Sequence, residues 1–356
     1  MIDISKTLFI VSTKSGGTAE TLSAFKYFYN RTVETLGEDT AGQHFVGITD
    51  PGSKLIDIAK QYNFREYFLN DPNIGGRYSA LSFFGLVPAT LLGMDVKALL
   101  DNATAEGNNE DGLWLGAVMG EMAKLGRDKV TLIMSDAIAS FGDWVEQLIA
   151  ESTGKSGKGI LPVVGEALGS PDVYGDDRLF VYIHMDTDDA YLPGINALEM
   201  AGHPVVRIQL LDLYHLGSQF FIWEMATAVA GHIIGIHPFN QPNVESAKVI
   251  ARDMIKAYSE SGELPKQEIA LSDDGIDVYG QNVKGDTVGE TLNNFLGQAS
   301  TGDYVTLQPY VPPTEETDEL LNTLRLKIRD SLKVATTGAY GPRFLHSTGQ
   351  CTKVIA

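Results

Sequence analysis

Short apolar runs alternate with longer stretches of helical period along most of this 356-residue chain. An apolar run of about four to eight residues between polar turns is typical of a buried β-strand. Because strands that alternate with helices usually pair in parallel, the pattern predicts an α/β fold with a mainly parallel sheet flanked by helices. The predicted strands are residues 8–11, 45–48, 130–134, 160–164, 179–183 and 205–210.

Helices are predicted where apolar residues recur about every three or four positions. Residues 259–303 are instead polar and rich in Gly, Asp and Asn, so they predict an excursion outside the core, with one hairpin at Asp273-Asp274-Gly275. The predicted helices are residues 18–36, 55–61, 85–92, 113–125, 141–151, 194–200, 219–230, 244–259 and 317–331.

The length favours about two domains, on a prior of roughly 150 residues for each. A turn at residues 125–128 precedes a new strand, so we predict a first domain at 1–127 and a second at 128–356 that contains the excursion. The first strand comes very early for a doubly wound sheet. We therefore expect the first domain to lack its N-terminal part and the chain to be a piece of a longer protein.

Charge and cysteine content narrow the class of protein. The formal net charge of −19 and the lack of a basic block argue against nucleic acid as a partner. A single cysteine, Cys351, excludes an intrachain disulfide and fits a reducing cytoplasm. No run approaches the ~18 apolar residues of a membrane helix, and no signal peptide or metal-ligand spacing is visible. We expect a cytoplasmic protein without a metal site.

The strongest candidate for chemistry is the segment between the first strand and the first helix, TKSGGTAET at residues 13–21. Glycines let the backbone approach an anion, and the N–H groups of the first helical turn point toward it. The hydroxyls of Thr13, Ser15 and Thr18 add donors. Neither phosphate-loop spacing nor dinucleotide-binding spacing is present. The hydroxyl density favours a phosphate site over an ordinary strand–helix turn.

A second candidate is Arg77, which follows two glycines in the sequence GGRYS at residues 75–79. Paired glycines allow a sharp turn that aims a permanently charged guanidinium, and this charge suits a developing oxyanion. The alternative is a surface turn with a solvated arginine. The apolar residues that follow favour the buried, functional interpretation.

A third candidate is the pair Gln147 and Glu151, four residues apart and therefore on one face of a predicted helix. Glu151 lies near the helix end, just before Gly154. The negative end of the helix dipole disfavours its charge there, which suits a general base. Taken alone, a solvated surface pair is the commoner explanation.

Two further loops carry polar residues that face a ligand in our interpretation. Gln241 precedes a helix with Lys248 in its second turn, and His346 lies beside Ser347 and Thr348 on a C-terminal loop. A loop histidine can shuttle protons near neutral pH. A solvated helix lysine and a solvated loop histidine are the alternatives.

Taken together, these segments resemble the phosphoglucose isomerase family, whose members contain two sugar-isomerase domains, each a parallel sheet flanked by helices. The resemblance runs from about residue 8 to residue 350. It rests on four motifs in family order: TKSGGTAET at 13–21, GGRYS at 75–79, QLIAESTGK at 147–155 and FNQ at 239–241 with Lys248 seven residues later. The sequence near residues 241–245 and 341–350 is most similar to the isomerase half of bacterial transaldolase/phosphoglucose isomerase fusion proteins. Those proteins continue further after the position of Gln350, so the resemblance implies that the second domain is shortened at its C-terminal end.

The resemblance implies interconversion of glucose 6-phosphate and fructose 6-phosphate through a cis-enediolate, without a redox or metal cofactor. Glu151 would move the proton between C1 and C2, and Arg77 would stabilise the enediolate. Carried over by position, the remaining roles are phosphate binding by Thr13, Lys14, Ser15 and Thr18, sugar binding by Gln147 and Gln241, and assistance at the ring oxygen by Lys248. The ring-opening histidine of the family follows a Val-Gly-Glu motif, but residues 167–178 after this motif contain no histidine. We therefore assign ring opening to His346 instead.

The resemblance also allows a homodimer and a covalent fusion to an upstream transaldolase domain. Its alternative is a non-catalytic module that binds a phosphosugar, or an inactive fragment of a bifunctional transaldolase/isomerase. Retention of Arg77, Glu151 and Lys248 favours the enzyme.

Overall fold

The computed structural model describes residues 2–240, 244–265, 267–280, 283–346 and 348–349. The strands in this part of the chain are β1 (Phe9–Ser12), β2 (Phe45–Thr49), β3 (Glu66–Leu69), β4 (Lys129–Met134), β5 (Leu161–Val163), β6 (Arg178–Met185), β7 (Val205–Leu210), β8 (Leu271–Asp273), β9 (Ile276–Val278), β10 (Tyr304–Leu307) and β11 (Ala335–Gly338). The helices are α1 (Ala19–Leu36), α2 (Glu38–Ala41), α3 (Lys54–Gln61), α4 (Phe83–Leu91), α5 (Val96–Ala105), α6 (Asp111–Lys124), α7 (Phe141–Thr153), α8 (Leu192–Met200), α9 (Leu216–Ile234), α10 (Val244–Ser261), α11 (Val288–Leu296) and α12 (Glu315–Leu332).

The predicted α/β class is confirmed, since the main sheets are parallel and helices separate their strands. Each predicted strand and helix is present with shifted ends. The predicted hairpin is also confirmed, because β8 and β9 pair in antiparallel fashion. Asp274 and Gly275 connect them with φ of 47° and 77°. Two left-handed residues in succession match the twist of a tight hairpin.

Six of these strands and helices were not predicted: α2, β3, α5, α11, β10 and β11. The strand β3 has the sequence EYFL, with an apolar run of only three residues, and β11 has the sequence ATTG, with no apolar run. Both nevertheless pair in parallel with a neighbouring strand, β3 with β2 and β11 with β10. Their strand conformation is therefore fixed by pairing rather than by local pattern.

The chain divides into two compact units. The first contains the described residues up to Asp111 together with Tyr214–Glu224, and the second contains Gly112–Leu213 and the described residues from Met225 onward. Our assignment of two sugar-isomerase domains with a boundary after residue 127 stays a prediction.

The first unit contains a parallel sheet of order β1-β2-β3. Its core is aromatic: Phe45 on β2 lies 5.0 Å from Phe9 on β1 and 5.6 Å from Phe25 on α1, measured between ring centroids. Buried aromatic pairs add specific geometry to the apolar area that they remove from water. This cluster fixes α1 against β1, and thereby fixes the ends of the loop that joins them.

The second unit contains a parallel sheet of order β5-β4-β6-β7. All residues of β4 are buried, as expected for a central strand covered on both faces. The same unit contains the parallel pair β10–β11 and the hairpin β8–β9. α7 follows β4 directly, so the sheet determines where its functional residues lie.

Across the described part of the chain, none of the helices combines the length and the hydropathy needed to cross a bilayer.

Candidate active site

Hydroxyl groups of three threonines hold the loop between β1 and α1 in place. Oγ1 of Thr13 lies 3.2 Å from Oγ1 of Thr18, at the other end of the loop. The N–H of Thr13 donates to the carbonyl of Ile48 at 3.0 Å, which fastens the loop to β2. Oγ1 of Thr49 donates to the carbonyl oxygens of Thr13 (2.7 Å) and Lys14 (3.3 Å). Because Thr49 on β2 binds these two carbonyl oxygens, the remaining polar groups of the loop are mainly hydrogen-bond donors. Donors of this kind suit the binding of an anion.

The start of α1 adds to this donor character because it has no side-chain cap. Thr18 occupies the N-cap position, but its side chain accepts no hydrogen bond from the helix backbone. In α3, by contrast, Ser53 caps the helix by accepting from the N–H of Leu55 at 3.1 Å. The first N–H groups of a helix lack an intrahelical acceptor and attract negative charge. The uncapped start of α1 therefore fits a phosphate group.

The other two polar residues of the loop are already engaged. The Lys14 ammonium forms an ion pair with Asp50 and donates to the carbonyl of Pro72 at 3.0 Å. Oγ of Ser15 accepts from the N–H of Gly17 at 3.3 Å. The sequence indicated Lys14 as a phosphate ligand but gave no sign of Asp50, which lies 36 positions away.

Arg77 lies in Gly76–Tyr78, a 3-10 helix of one turn, and is only 6% exposed. Its guanidinium carbon lies 5.9 Å from the centroid of the Tyr78 ring. The Ser79 hydroxyl donates to the carbonyl of Gly76 at 2.6 Å and closes the turn. The alternative of a solvated surface arginine is therefore wrong. A guanidinium in this environment keeps its charge and has a restricted orientation, as oxyanion stabilisation requires.

Gln147 and Glu151 lie on α7, which extends to Thr153. The N–H of Gly154 donates to the carbonyl of Ala150 at 2.9 Å, so Glu151 belongs to the last turn. Glu151 is 8% exposed, whereas Gln147 is exposed. The explanation as a solvated surface pair is therefore wrong for Glu151, and Gln147 is accessible to solvent or to a ligand. A buried carboxyl group at a helix C-terminus is well suited to proton transfer.

Lys155, just after α7, is a residue whose role sequence analysis did not identify. It is buried, and its ammonium donates to the carbonyl oxygens of His237 and Asn240, each at 2.7 Å. These bonds tie the end of α7 to the segment that leads to Gln241. Lys155 is part of the motif at residues 147–155, but the motif does not indicate which atoms its ammonium binds.

A second missed feature is a buried ion-pair cluster centred on Glu166, which follows β5. Arg178 contacts Oε1 of Glu166 at 3.2 Å, and the Thr336 hydroxyl donates to Oε2 at 3.0 Å. Arg325 donates to the carbonyls of Val164 (3.0 Å) and Thr336 (2.8 Å). Burial lowers the pKa of Arg325 below its usual range. The cluster joins β5, β6, β11 and α12, so its role is to hold the second unit together.

Three of the predicted site residues are not fully described. Gln241 lies outside the described residues. Lys248 lies on α10 and His346 in the 3-10 turn Arg343–His346, as far as their backbones are concerned. The side chains of both lie outside the described part of the chain, so their roles stay predictions.

The described residues group the candidates into two sets. The loop at residues 13–18 and Arg77 belong to the first unit, while Gln147, Glu151 and Lys155 belong to the second. In the described part of the chain, no group of three or more His, Cys, Asp or Glu side chains is arranged to hold a metal ion.

Comparison with known proteins identifies the family. The family model described as phosphoglucose isomerase matches residues 1–157. A curated relative from Methanococcus maripaludis, named "Probable glucose-6-phosphate isomerase", is 30% identical over 71% of this chain and 67% of its own length. A glucose-6-phosphate isomerase from Rubrobacter xylanophilus is 32% identical over 67% of this chain and 66% of its own.

A solved structure agrees in fold. The glucose-6-phosphate isomerase of Chlamydia trachomatis superposes with a TM-score of 0.60 at 21% identity, over 73% of this chain and 61% of that one. The chain spans about two thirds of the length of these relatives. The motifs, the parallel α/β fold and these matches agree, and we conclude that this chain belongs to the phosphoglucose isomerase family.

Proposed function

We propose that this chain interconverts glucose 6-phosphate and fructose 6-phosphate by proton transfer between C1 and C2. Family membership supports this reaction, because two relatives that match most of the chain carry the name glucose-6-phosphate isomerase. The single observation that carries the proposal is the buried carboxyl group of Glu151 in the last turn of α7. An aldose–ketose isomerase needs one base that removes a proton from one carbon and returns it to the next.

Glu151 and Arg77 divide the chemistry between them. The Glu151 carboxylate takes the proton from C2 of the open-chain aldose, and the electron pair moves onto the C1 oxygen to give a cis-enediolate. The Arg77 guanidinium stabilises that negative charge. A proton then moves from the C2 hydroxyl group to the C1 oxygen. The protonated Glu151 returns its proton to C1, and the C2 carbonyl of the ketose forms. General acid–base catalysis of this kind contributes about 10²- to 10⁴-fold to a rate.

We assign phosphate binding to the loop that contains Thr13, Lys14, Ser15 and Thr18, with its hydroxyl and backbone N–H groups as the donors. The mutual contact of Thr13 and Thr18 and the uncapped start of α1 support this assignment. A phosphate needs several convergent donors, and hydroxyl and amide N–H groups supply them without a cluster of basic side chains.

Further roles follow from the family motifs. We assign sugar binding to Gln147 and Gln241 and assistance at the ring oxygen to Lys248. Ring opening is assigned to His346, which stands outside these motifs and takes the place of the family's histidine. A homodimer and a fusion to an upstream transaldolase domain belong to the same proposal. So does a cytoplasmic location, which fits the single cysteine.

The test is a coupled assay on the purified chain, in which glucose 6-phosphate formed from fructose 6-phosphate reduces a nicotinamide cofactor through a dehydrogenase. Glu151→Gln keeps the size of the side chain but removes the base, so we expect kcat to fall by about 10³-fold. The dissociation constant of fructose 6-phosphate, measured by calorimetry, should change by less than about threefold. Glu121→Gln, at an exposed surface position, is the matched control.

Normal turnover by Glu151→Gln would show that another group is the base. Binding of fructose 6-phosphate by the unaltered chain, without turnover, would favour the alternative of a non-catalytic phosphosugar-binding module. Failure to bind any sugar phosphate would contradict both.

A further inference from the structure

We propose that Asp50 sets the anion affinity of the loop at residues 13–18 by holding the Lys14 ammonium, so that neutral donors bind the phosphate. This inference rests on the proposed function only in taking a phosphate as the ligand. It assigns a positioning role to a residue outside the recognised motifs, on the turn between β2 and α3.

Two acceptors hold the Lys14 ammonium. It pairs with Oδ2 of Asp50 and donates to the carbonyl of Pro72 at 3.0 Å. The Asp50 side chain is 12% exposed and that of Lys14 is 36% exposed. A partly buried pair is screened less by salt than an exposed one, so this contact persists at physiological ionic strength. Lys14 therefore has a fixed partner in the absence of any ligand.

The backbone of Asp50 is fixed from both sides. Its N–H donates to the carbonyl of Lys14 at 3.3 Å, and its own carbonyl accepts from the N–H of Ser53 at 3.2 Å. The preceding residue, Thr49, binds the same stretch of the loop through its hydroxyl group. The Asp50 carboxylate consequently has little freedom to follow the lysine toward a ligand.

Lys14 is the main group that stabilises the Asp50 carboxylate, as the surroundings of the other carboxylate oxygen indicate. Oδ1 is buried and has no hydrogen-bond donor within the described residues. A buried carboxylate with one unsatisfied oxygen depends strongly on its charged partner. The pair therefore favours the arrangement in which Lys14 stays on Asp50.

This arrangement has a consequence for turnover. The charges of Lys14 and Asp50 cancel, so the loop offers a phosphate hydroxyl and N–H donors rather than a full positive charge. A free ammonium group would add its own Coulomb attraction to hydrogen bonds that the phosphate charge already strengthens. A reversible isomerase must release a phosphate ester in both directions, and release is often the slow step. Asp50 thus lowers affinity in favour of release.

The test is a double-mutant cycle on Asp50 and Lys14, read out as the dissociation constant of inorganic phosphate by calorimetry. Asp50→Asn frees the ammonium, and we expect phosphate to bind about tenfold more tightly, with a steeper dependence on salt. Lys14→Gln in the Asp50→Asn background should remove that gain, whereas in the unaltered background its effect should be smaller. Asp57→Asn, exposed on α3, changes the net charge equally and controls for it.

Unchanged or weaker phosphate binding by folded Asp50→Asn, or effects of the two substitutions that simply multiply, would overturn the inference. If Asp50→Asn does not fold, Lys14→Gln alone decides, since a tenfold loss of affinity would show that the ammonium already binds the phosphate. No phosphate binding by any variant also counts against it. Isomerase activity is measured separately, so a chain that shows the affinity shift without turnover contradicts the proposed function and not this inference.

Discussion

Gly16 lies against Ser53, and the contact leaves no room for a side chain. A Cβ atom on Gly16 would overlap the Ser53 hydroxyl and lie 2.6 Å from the backbone nitrogen of Leu55. Gly16 also has φ of +68°, a conformation that residues with a side chain rarely adopt. The loop at residues 13–18 is therefore packed directly on the start of α3.

Gly16→Ala should consequently distort the loop. We expect a loss of about 1–3 kcal/mol in the free energy of unfolding, from backbone strain and overlap, and weaker phosphate binding by tenfold or more. Gly17→Ala is the control, because its Cβ would meet only Oγ of Ser15, at 3.8 Å. Denaturant unfolding and phosphate calorimetry measure both effects. Equal results for the two variants would refute the role given to Gly16.

Arg77→Lys should keep the charge but lose the fixed guanidinium geometry. If Arg77 stabilises the enediolate, kcat should fall by about 10²-fold while KM changes much less. Arg65→Lys is the matched control, since Arg65 is exposed in the same unit. Steady-state kinetics of fructose 6-phosphate turnover measures the difference. A kcat within twofold of the unaltered chain would exclude Arg77 from the transition state.

Glu166→Gln should strongly destabilise the second unit. The variant leaves Arg178, which is fully buried, without its charge partner. Removing one partner of a buried pair costs about 3–5 kcal/mol. Glu199→Gln provides the comparison, because its pair with Arg207 is largely exposed and should contribute only about 0–1 kcal/mol. Urea unfolding of both variants tests this contrast, and similar losses would argue against a structural role for the cluster.

Glu224 should make stability depend on pH. Burial raises the pKa of Glu224 from 4.5 to about 7, and its Oε1 has no hydrogen-bond partner in the described residues. The folded state thus favours the protonated form. The contribution of Glu224 to stability is full below pH 4.5 and declines as the pH rises toward 7, by up to about 3 kcal/mol.

Glu224→Gln imitates the protonated group, so it should stabilise the chain at pH 8 and have little effect at pH 4.5. Thermal or urea unfolding at the two pH values measures this, with the exposed Glu121→Gln as control. A pH-independent difference between Glu224→Gln and the unaltered chain would show that Glu224 does not titrate with folding.

The sequence by itself determined the α/β class, the positions of most helices and strands, and the placement of Glu151 at a helix end. These features are local, because an apolar run or a helical period extends over a few neighbouring residues. Burying those apolar side chains on one side requires a strand or a helix at that place. The loop at residues 13–18 was predictable for the same reason. Its hydroxyls and glycines stand together between a strand and a helix.

The tertiary structure decided which distant residues meet. β1 and β2 pair with Ser12 opposite Ile48, and this register brings Lys14 to Asp50, a partner that no local pattern indicates. β11, with the sequence ATTG, becomes a strand because it pairs with β10 and because the Thr336 hydroxyl donates a hydrogen bond to Glu166. Burial is likewise collective: whether Arg77 is solvated or enclosed depends on what packs over it. Ion pairs and hydrogen bonds between distant residues form only where the fold places the two groups in contact. The spacing of residues along the sequence does not indicate which groups these are.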